Sequence, residues 1–179
     1  MSSGESHLDA TEWALRAREG DITASAAFVR ATQAEVWRFC GALVSPADAD
    51  DLTQDVYLRA FRALPEFAGR SSARTWLLAI ARRTCADHIR ALVRRRRLDA
   101  LLLRTTEPVS SDISHGSTTD ALLRDLTPER RSAFALTQLL GLSYDEAAQV
   151  ENVPVGTIRS RVARARAELL TALDDAAAA

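Results

Sequence analysis

The stretch Ser143 to Arg166, SYDEAAQVENVPVGTIRSRVARAR, leaves room for little besides two short helices joined by a tight turn. Ser143 is a good N-cap, and Glu146 three residues later completes a capping box that sets the start of the first helix. Ala147, Ala148 and Val150 give that helix an apolar side. Asn152 marks the turn, and Pro154 suits the first position of a new helix, where its missing N–H is not needed. At about 100° per residue, Val155, Ile158, Val162, Ala165, Leu169 and Leu173 fall on one stripe, which predicts that the second helix packs on a core through them. The opposite face holds Gly156, Ser160, Ala163, Arg164 and Ala167, flanked by Thr157, Arg159 and Arg161. Small residues beside arginines let a helix approach base edges while guanidinium groups reach phosphate or guanine. On an isolated helix the same arginines would equally suit a solvated face. The two-helix spacing ahead of them favours duplex DNA.

The net charge of −1 over 179 residues looks unlike that of a DNA-binding protein. The sum hides an asymmetry: residues 1–69 hold 11 acids against 6 arginines, whereas residues 70–98 hold 9 arginines and a single acid, Asp87. All 23 basic residues are arginine. Arginine in place of lysine, with abundant alanine, points to a GC-rich bacterial genome first and to bidentate phosphate contact second. No apolar run approaches the roughly 20 residues of a membrane span, and the opening MSSGESHLDA is unlike a signal peptide, so a cytoplasmic protein without membrane insertion is expected. Cys40 and Cys85 are isolated and are expected to be core thiols. His7, His88 and His115 lie far apart, with no acid/base or nucleophile spacing around them. No metal, no cofactor and no catalytic residues are expected, and the chain is read as not an enzyme.

Helical spacing fills most of the rest, which predicts an all-α protein. Asp9 to Glu19 and Ile22 to Leu43 are separated by Gly20 and Asp21. Pro46 to Leu64 forms a third helix ending at Pro65, and Glu66 to Ser71 is a polar loop around Gly69. Ser71 or Ser72 caps a helix running to about Arg97. Between 99 and 118 the pattern dissolves into a Thr-, Ser- and Pro-containing linker. A short helix follows, then a Thr127 N-cap with Pro128 behind it and a helix to Leu140 stopped by Gly141. The layout is two small helical domains, 1–98 and 119–179, joined by a flexible linker over 99–118.

On a wheel of the long helix in the first domain, Arg82, Arg83, Arg90 and Arg94 share a sector about 120° wide, with Thr75, Ala79 and Ala86 between them. Ala73, Trp76, Leu77, Ile80, Thr84 and His88 lie across from it. Four arginines offset by Asp87 alone would repel one another without a polyanion, so the sector reads as a phosphate track. Trp76 could stack on an unpaired base, but its place on the apolar stripe makes the core the expectation. Phe67, Arg70 and Ser72, on the loop just before, are placed to hold an extruded base.

Three segments, DADDLTQDVYLRAF (48–61), RSSARTWLLAIARRTCADHIR (70–90) and LTQLLGLSYDEAAQVENVPVGTIRSRVARAR (136–166), together resemble the bacterial sigma-70 family, specifically its extracytoplasmic function (ECF) class. Their order and separation make the resemblance specific; the helix-turn-helix alone is shared with many regulators. The resemblance implies a sigma factor with region 2-like and region 4-like domains that binds core RNA polymerase, directs it to −10 and −35 promoter elements and promotes strand opening. It implies that Asp51, Gln54, Asp55 and Arg59 dock on the β′ clamp helices, and it adds the β flap as a second polymerase contact. For the −10 element it implies Phe67, Arg70, Ser72, Arg74, Arg82, Arg83, Arg90 and Arg94. For the −35 element it implies Thr157, Arg159, Ser160, Arg161 and Arg164. A tether of about 20 extended residues spans at most roughly 70 Å, or about 20 base pairs at 3.4 Å each, so both elements can be held at once.

Two other classes are weighed beside this one. A regulator using only the helix-turn-helix has no need of the acidic helix and the arginine-faced helix, and a helical enzyme acting on nucleic acid lacks metal-ligand or acid/base spacing. Control is expected from transcription, from an anti-sigma factor or from proteolysis. Ala178 and Ala179 are a candidate degradation signal for a ClpXP-type protease, with alanine-rich drift at a frayed helix end as the alternative.

Overall fold

The computed structural model describes residues 5–102 and 118–178, and there is no strand among them. Helix α1 (Glu5–Arg18) is followed by α2 (Ile22–Leu43), whose start is fixed by Asp21: its carboxylate accepts from the Ala24 N–H at 2.9 Å. The predicted third helix divides into a 3-10 turn (Pro46–Asp48), α3 (Ala49–Ala63) and a second 3-10 turn (Leu64–Glu66). Pro46 and Pro65 each sit in the first turn of a 3-10 segment, where the absent N–H leaves nothing unpaired. Ser72 opens α4 (Ala73–Leu102), its Oγ accepting from the Thr75 N–H at 3.1 Å. Helix α4 runs past Arg97, so the first residues assigned to the linker are helical.

The second half begins with α5 (Thr118–Asp125) and α6 (Pro128–Phe134). A π turn (Ala135–Leu139), not anticipated from the sequence, closes with Leu140 N–H donating to the Ala135 carbonyl at 3.0 Å. Gly141, at φ +69°, stops it. The capping box on Ser143 and Glu146 starts α7 (Tyr144–Glu151), which ends on Asn152 in the left-handed region at φ 53°. Helix α8 (Val155–Ala178) follows, with the Pro154 carbonyl accepting from Thr157 N–H at 2.9 Å. Ile158, Val162 and Ala165 are buried as predicted, but Leu173, on the same stripe, is 49% exposed. Helices α5 and α6 are too short to cover the far end of a 24-residue helix.

In this arrangement the two helical domains pack against each other. One buried cluster runs from Phe28, Phe39, Leu77 and Leu78 through Leu136 and Leu142 to Ala147 and Ile158. Helix α7 packs on α4, and α6 packs on α2. Arg131, largely withdrawn from water, donates to the Leu43 carbonyl at 3.0 Å across the seam and to the Leu126 carbonyl at 3.0 Å within its own half. Burial, then the nearby Arg124, lowers the guanidinium's affinity for its proton without approaching neutrality. Cys40 and Cys85 are fully buried free thiols. A hydrogen bond with Cys40, reinforced by burial, pushes the Cys85 thiol far above its ordinary range, so it is not a nucleophile at neutral pH.

Candidate nucleic-acid interface

Helix α3 carries the first surface. Leu52, Val56 and Ala60 bury one side of it, leaving Asp51, Gln54 and Asp55 exposed together on the other. The stripe continues into Leu58 and Phe61, 57% and 38% exposed, beside a groove shared with Val29, Gln33 and Tyr57. These two apolar residues were not singled out from the sequence. Their signal was available: they sit four and seven residues beyond Gln54, on the polar face of an amphipathic helix, where large apolar groups have no core to fill. Arg59 is turned toward α4 and pairs with Asp87 at 2.7 Å, while Arg90 pairs with the other carboxylate oxygen. Bonds first from Arg59 and then from Arg90 hold the Asp87 carboxyl below the usual carboxylate range. Tyr57 anchors α3 to α2 through its hydroxyl, 2.6 Å from Thr32 Oγ1.

The second surface lies at the start of α4. Phe67 is only 4% exposed and stacks on Trp76 with ring centroids 4.8 Å apart. Its carbonyl accepts from Arg18 Nη1 at 2.9 Å. It is therefore a buried wall rather than a free stacking platform. In front of it lies a solvent-open recess of about 310 Å³ lined by Glu66, Arg70, Ser71, Trp76, Ile80 and Arg83. Trp76, expected in the core, is half-buried and contributes to that lining, because at about 100° per residue it falls at the same angle on α4 as Arg94.

Of the arginines expected on the −10 face, Arg70, Arg83, Arg90 and Arg94 are exposed. Arg74 is not: 7% exposed, it donates from Nε to Glu35 at 2.8 Å and from Nη2 to the Leu140 carbonyl. Arg82 is half-buried, its Nε donating at 2.8 Å to Glu151 at the end of α7. The upper part of the expected phosphate track is thus covered by the second half of the chain.

The third surface is the start of α8. Arg159, Ser160 and Arg164 are exposed, and Thr157 is half-buried. A Cβ built on Gly156 meets nothing within 4 Å, so no internal packing demands glycine there. Arg161 leans back onto Glu151 at 3.2 Å. Glu151, with its side chain 3% exposed, therefore serves Arg82 on α4, Arg161 on α8 and, through one oxygen, the hydroxyl of Ser132. A buried carboxylate needs this many donors to offset its lost hydration. No described group of three or more His, Cys, Asp or Glu could hold a metal ion. Among the described residues no helix is long and apolar enough to cross a membrane. Ala178 ends α8, and Ala179 lies outside the described residues.

An acidic helix, a basic helix behind a small recess and a helix-turn-helix, assembled from helices alone, are the features of a nucleic-acid-binding protein. Sigma-70 region 2 matches residues 28–96, and sigma-70 region 4 matches residues 118–169. The chain is 51% identical over 165 residues to the ECF RNA polymerase sigma factor SigC of Mycobacterium tuberculosis, covering 89% of each. It is 33% identical over 170 residues to the ECF RNA polymerase sigma-E factor of Escherichia coli, covering 84% of this chain and 87% of that one. The sigma factor RpoE of Bartonella quintana, solved in complex with the anti-sigma factor NepR, superposes with a TM-score of 0.70 at 27% identity, over 86% of this chain and 98% of that one. CnrH, solved with the cytosolic domain of CnrY, shares the fold at a TM-score of 0.72 and 24% identity, over 93% of this chain and 98% of that one. The chain belongs to the sigma-70 family of RNA polymerase sigma factors, in its ECF class, and its function is to bind core polymerase and direct it to promoters.

Proposed function

We propose that the three surfaces divide the work of initiation. Asp51, Gln54 and Asp55, extended by Leu58 and Phe61, dock on the β′ clamp helices of polymerase, and the second half makes a further contact with the β flap. Arg70, Arg83, Arg90 and Arg94 hold the nontemplate strand of the −10 element, with one base turned out into the recess before Phe67 and Trp76. Thr157, Arg159, Ser160 and Arg164 read the −35 element in the major groove. No step here breaks or forms a covalent bond, so the chain acts by binding alone.

Glu151 carries this reading. It pairs with one arginine from the −10 set and one from the −35 set, so Arg82 is withheld until α7 leaves α4, while Arg161 stays tied to α7 within the helix-turn-helix. The described arrangement is then the resting form of the free chain, and polymerase binding separates the halves. An anti-sigma factor, as found in the complex of the Bartonella relative, would hold this chain away from polymerase in the cytoplasm. The terminal alanines remain a candidate protease signal, tested by replacing Ala178 and Ala179 with Asp and following half-life in cells. The central test is reconstituted transcription with core polymerase on genomic promoter fragments. Failure to bind core polymerase, or to initiate at any fragment, removes the reading.

A further inference from the structure

Helix α4 continues beyond its own packing. Cys85 is its last buried residue, Ala86 to Ile89 are half-buried, and every residue from Val93 to Ala100 is exposed, Leu98 to the extent of 59%. This projecting end carries Arg94, Arg95, Arg96 and Arg97 against Asp99 alone. The helix's other acid, Asp87, is already engaged by Arg59 and Arg90. None of the four arginines has a hydrogen bond or ion pair among the described residues. Adjacent like charges destabilise a helix that no core holds in place, so a segment of this kind is built to meet a polyanion.

The geometry selects the kind of polyanion. At about 100° per residue, Arg83, Arg90, Arg94 and Arg97 fall within a sector about 60° wide, along roughly 21 Å of helix at 1.5 Å per residue. Arg95 and Arg96 lie about 130° to either side of that sector, so the four consecutive arginines surround the arm with charge instead of marking one face. Residues 89–102 contain no aromatic side chain, whereas single strands are held on aromatic platforms. Nor is there an Asn, Gln, Ser or Thr in this stretch to read base edges. In chain order the arm leads from the −10 half to the −35 half.

We propose that Arg95, Arg96 and Arg97 clasp the phosphates of the duplex between the two promoter elements, a contact indifferent to base sequence. The inference rests on the sigma-factor reading above. The test compares wild-type holoenzyme with holoenzyme carrying Arg95→Gln, Arg96→Gln and Arg97→Gln, a change that keeps helix propensity, with circular dichroism of the free chain as the folding control. Affinity for a promoter fragment is measured across a salt series. The slope of log K against log salt becomes shallower by about 2 to 3, at roughly 0.9 per lost phosphate contact. The loss is the same when the spacer sequence is scrambled at constant length, and it disappears when the spacer phosphates are replaced by neutral methylphosphonates. An unchanged slope overturns the proposal. So does a loss that depends on spacer sequence, or one that persists in full on the neutral spacer and so belongs to phosphates outside it. If wild-type holoenzyme initiates and the slope does not move, only this contact fails. If wild-type holoenzyme initiates nowhere, the sigma-factor reading fails and this contact with it.

Discussion

Glu151 Oε1 accepts a hydrogen bond from Arg82 Nε at 2.8 Å, tying the last turn of α7 to the middle of α4. The same carboxylate holds Arg161 at 3.2 Å, so one side chain joins α4, α7 and α8. Replacing Glu151 by Gln removes the charge while keeping the shape. The free variant is expected to bind a −35 duplex about tenfold more tightly, equivalent to about 1.4 kcal/mol of closure lost. Fluorescence anisotropy checks the affinity, and distance measurement between labels on α2 and α8 checks that the halves have parted. Equal affinity for wild type and variant would show that Glu151 does not hold the readers closed.

Tyr57 gives a pH dependence whose sign can be worked out. Burial pushes its phenol up to about 12, from an ordinary value near 10, against the opposing bond to Thr32. The folded state therefore retains this proton more tightly than the unfolded one. The stability linked to it is fully present below pH 10 and declines as pH rises from about 10 toward 12. Absorbance titration near 295 nm should show one tyrosinate step at about pH 12 that is absent in Tyr57→Phe.

The exposed stripe of α3 separates docking from folding. Asp51→Ala with Asp55→Ala is expected to weaken binding to core polymerase at least tenfold while changing unfolding stability by less than about 0.5 kcal/mol per site. Leu58→Ala should add to the loss of binding, because a desolvated apolar anchor contributes more than a rim charge. Pull-down with core enzyme and urea denaturation report the two effects separately.

Phe67 makes the opposite prediction. As a buried ring stacked on Trp76, its replacement by Ala should cost about 3 to 4 kcal/mol of unfolding free energy, measured in urea. An exposed base-stacking residue would lose under about 0.5 kcal/mol. Arg83→Gln, at the rim of the same recess, should leave stability unchanged and reduce capture of a −10 nontemplate oligonucleotide by holoenzyme.

Local signals in the sequence proved sufficient for most helix boundaries. Ile22–Leu43 is bounded by an acidic cap, Ser143 and Glu146 form the expected box, and Gly141 and Asn152 take the left-handed backbone that ends a helix. What the chain does not advertise locally is which element covers which face. Arg74 and Arg82 lie on an arginine-rich helix and look like phosphate ligands until Glu35, the Leu140 carbonyl and Glu151 arrive from 39, 66 and 69 residues away. A guanidinium suits a buried carboxylate and a phosphate by the same fork of donors, so periodicity cannot separate the two uses. The burial of Phe67 is hidden for a related reason: its loop is polar, but the ring folds back onto Trp76. The packing of the two halves has no sequence signature at all, since Leu136, Ala147 and Ala148 would fill the core of a free-standing helix-turn-helix equally well.

The cluster that runs unbroken from Phe28 to Ile158 has a consequence for competition. A factor that must part its own core before engaging polymerase carries a handicap against any rival that need not: each 1.4 kcal/mol of packing lowers its apparent affinity tenfold. Abundance alone then raises its share of the enzyme only slowly. Substitutions scattered through that seam, touching neither DNA nor polymerase, would reset its rank.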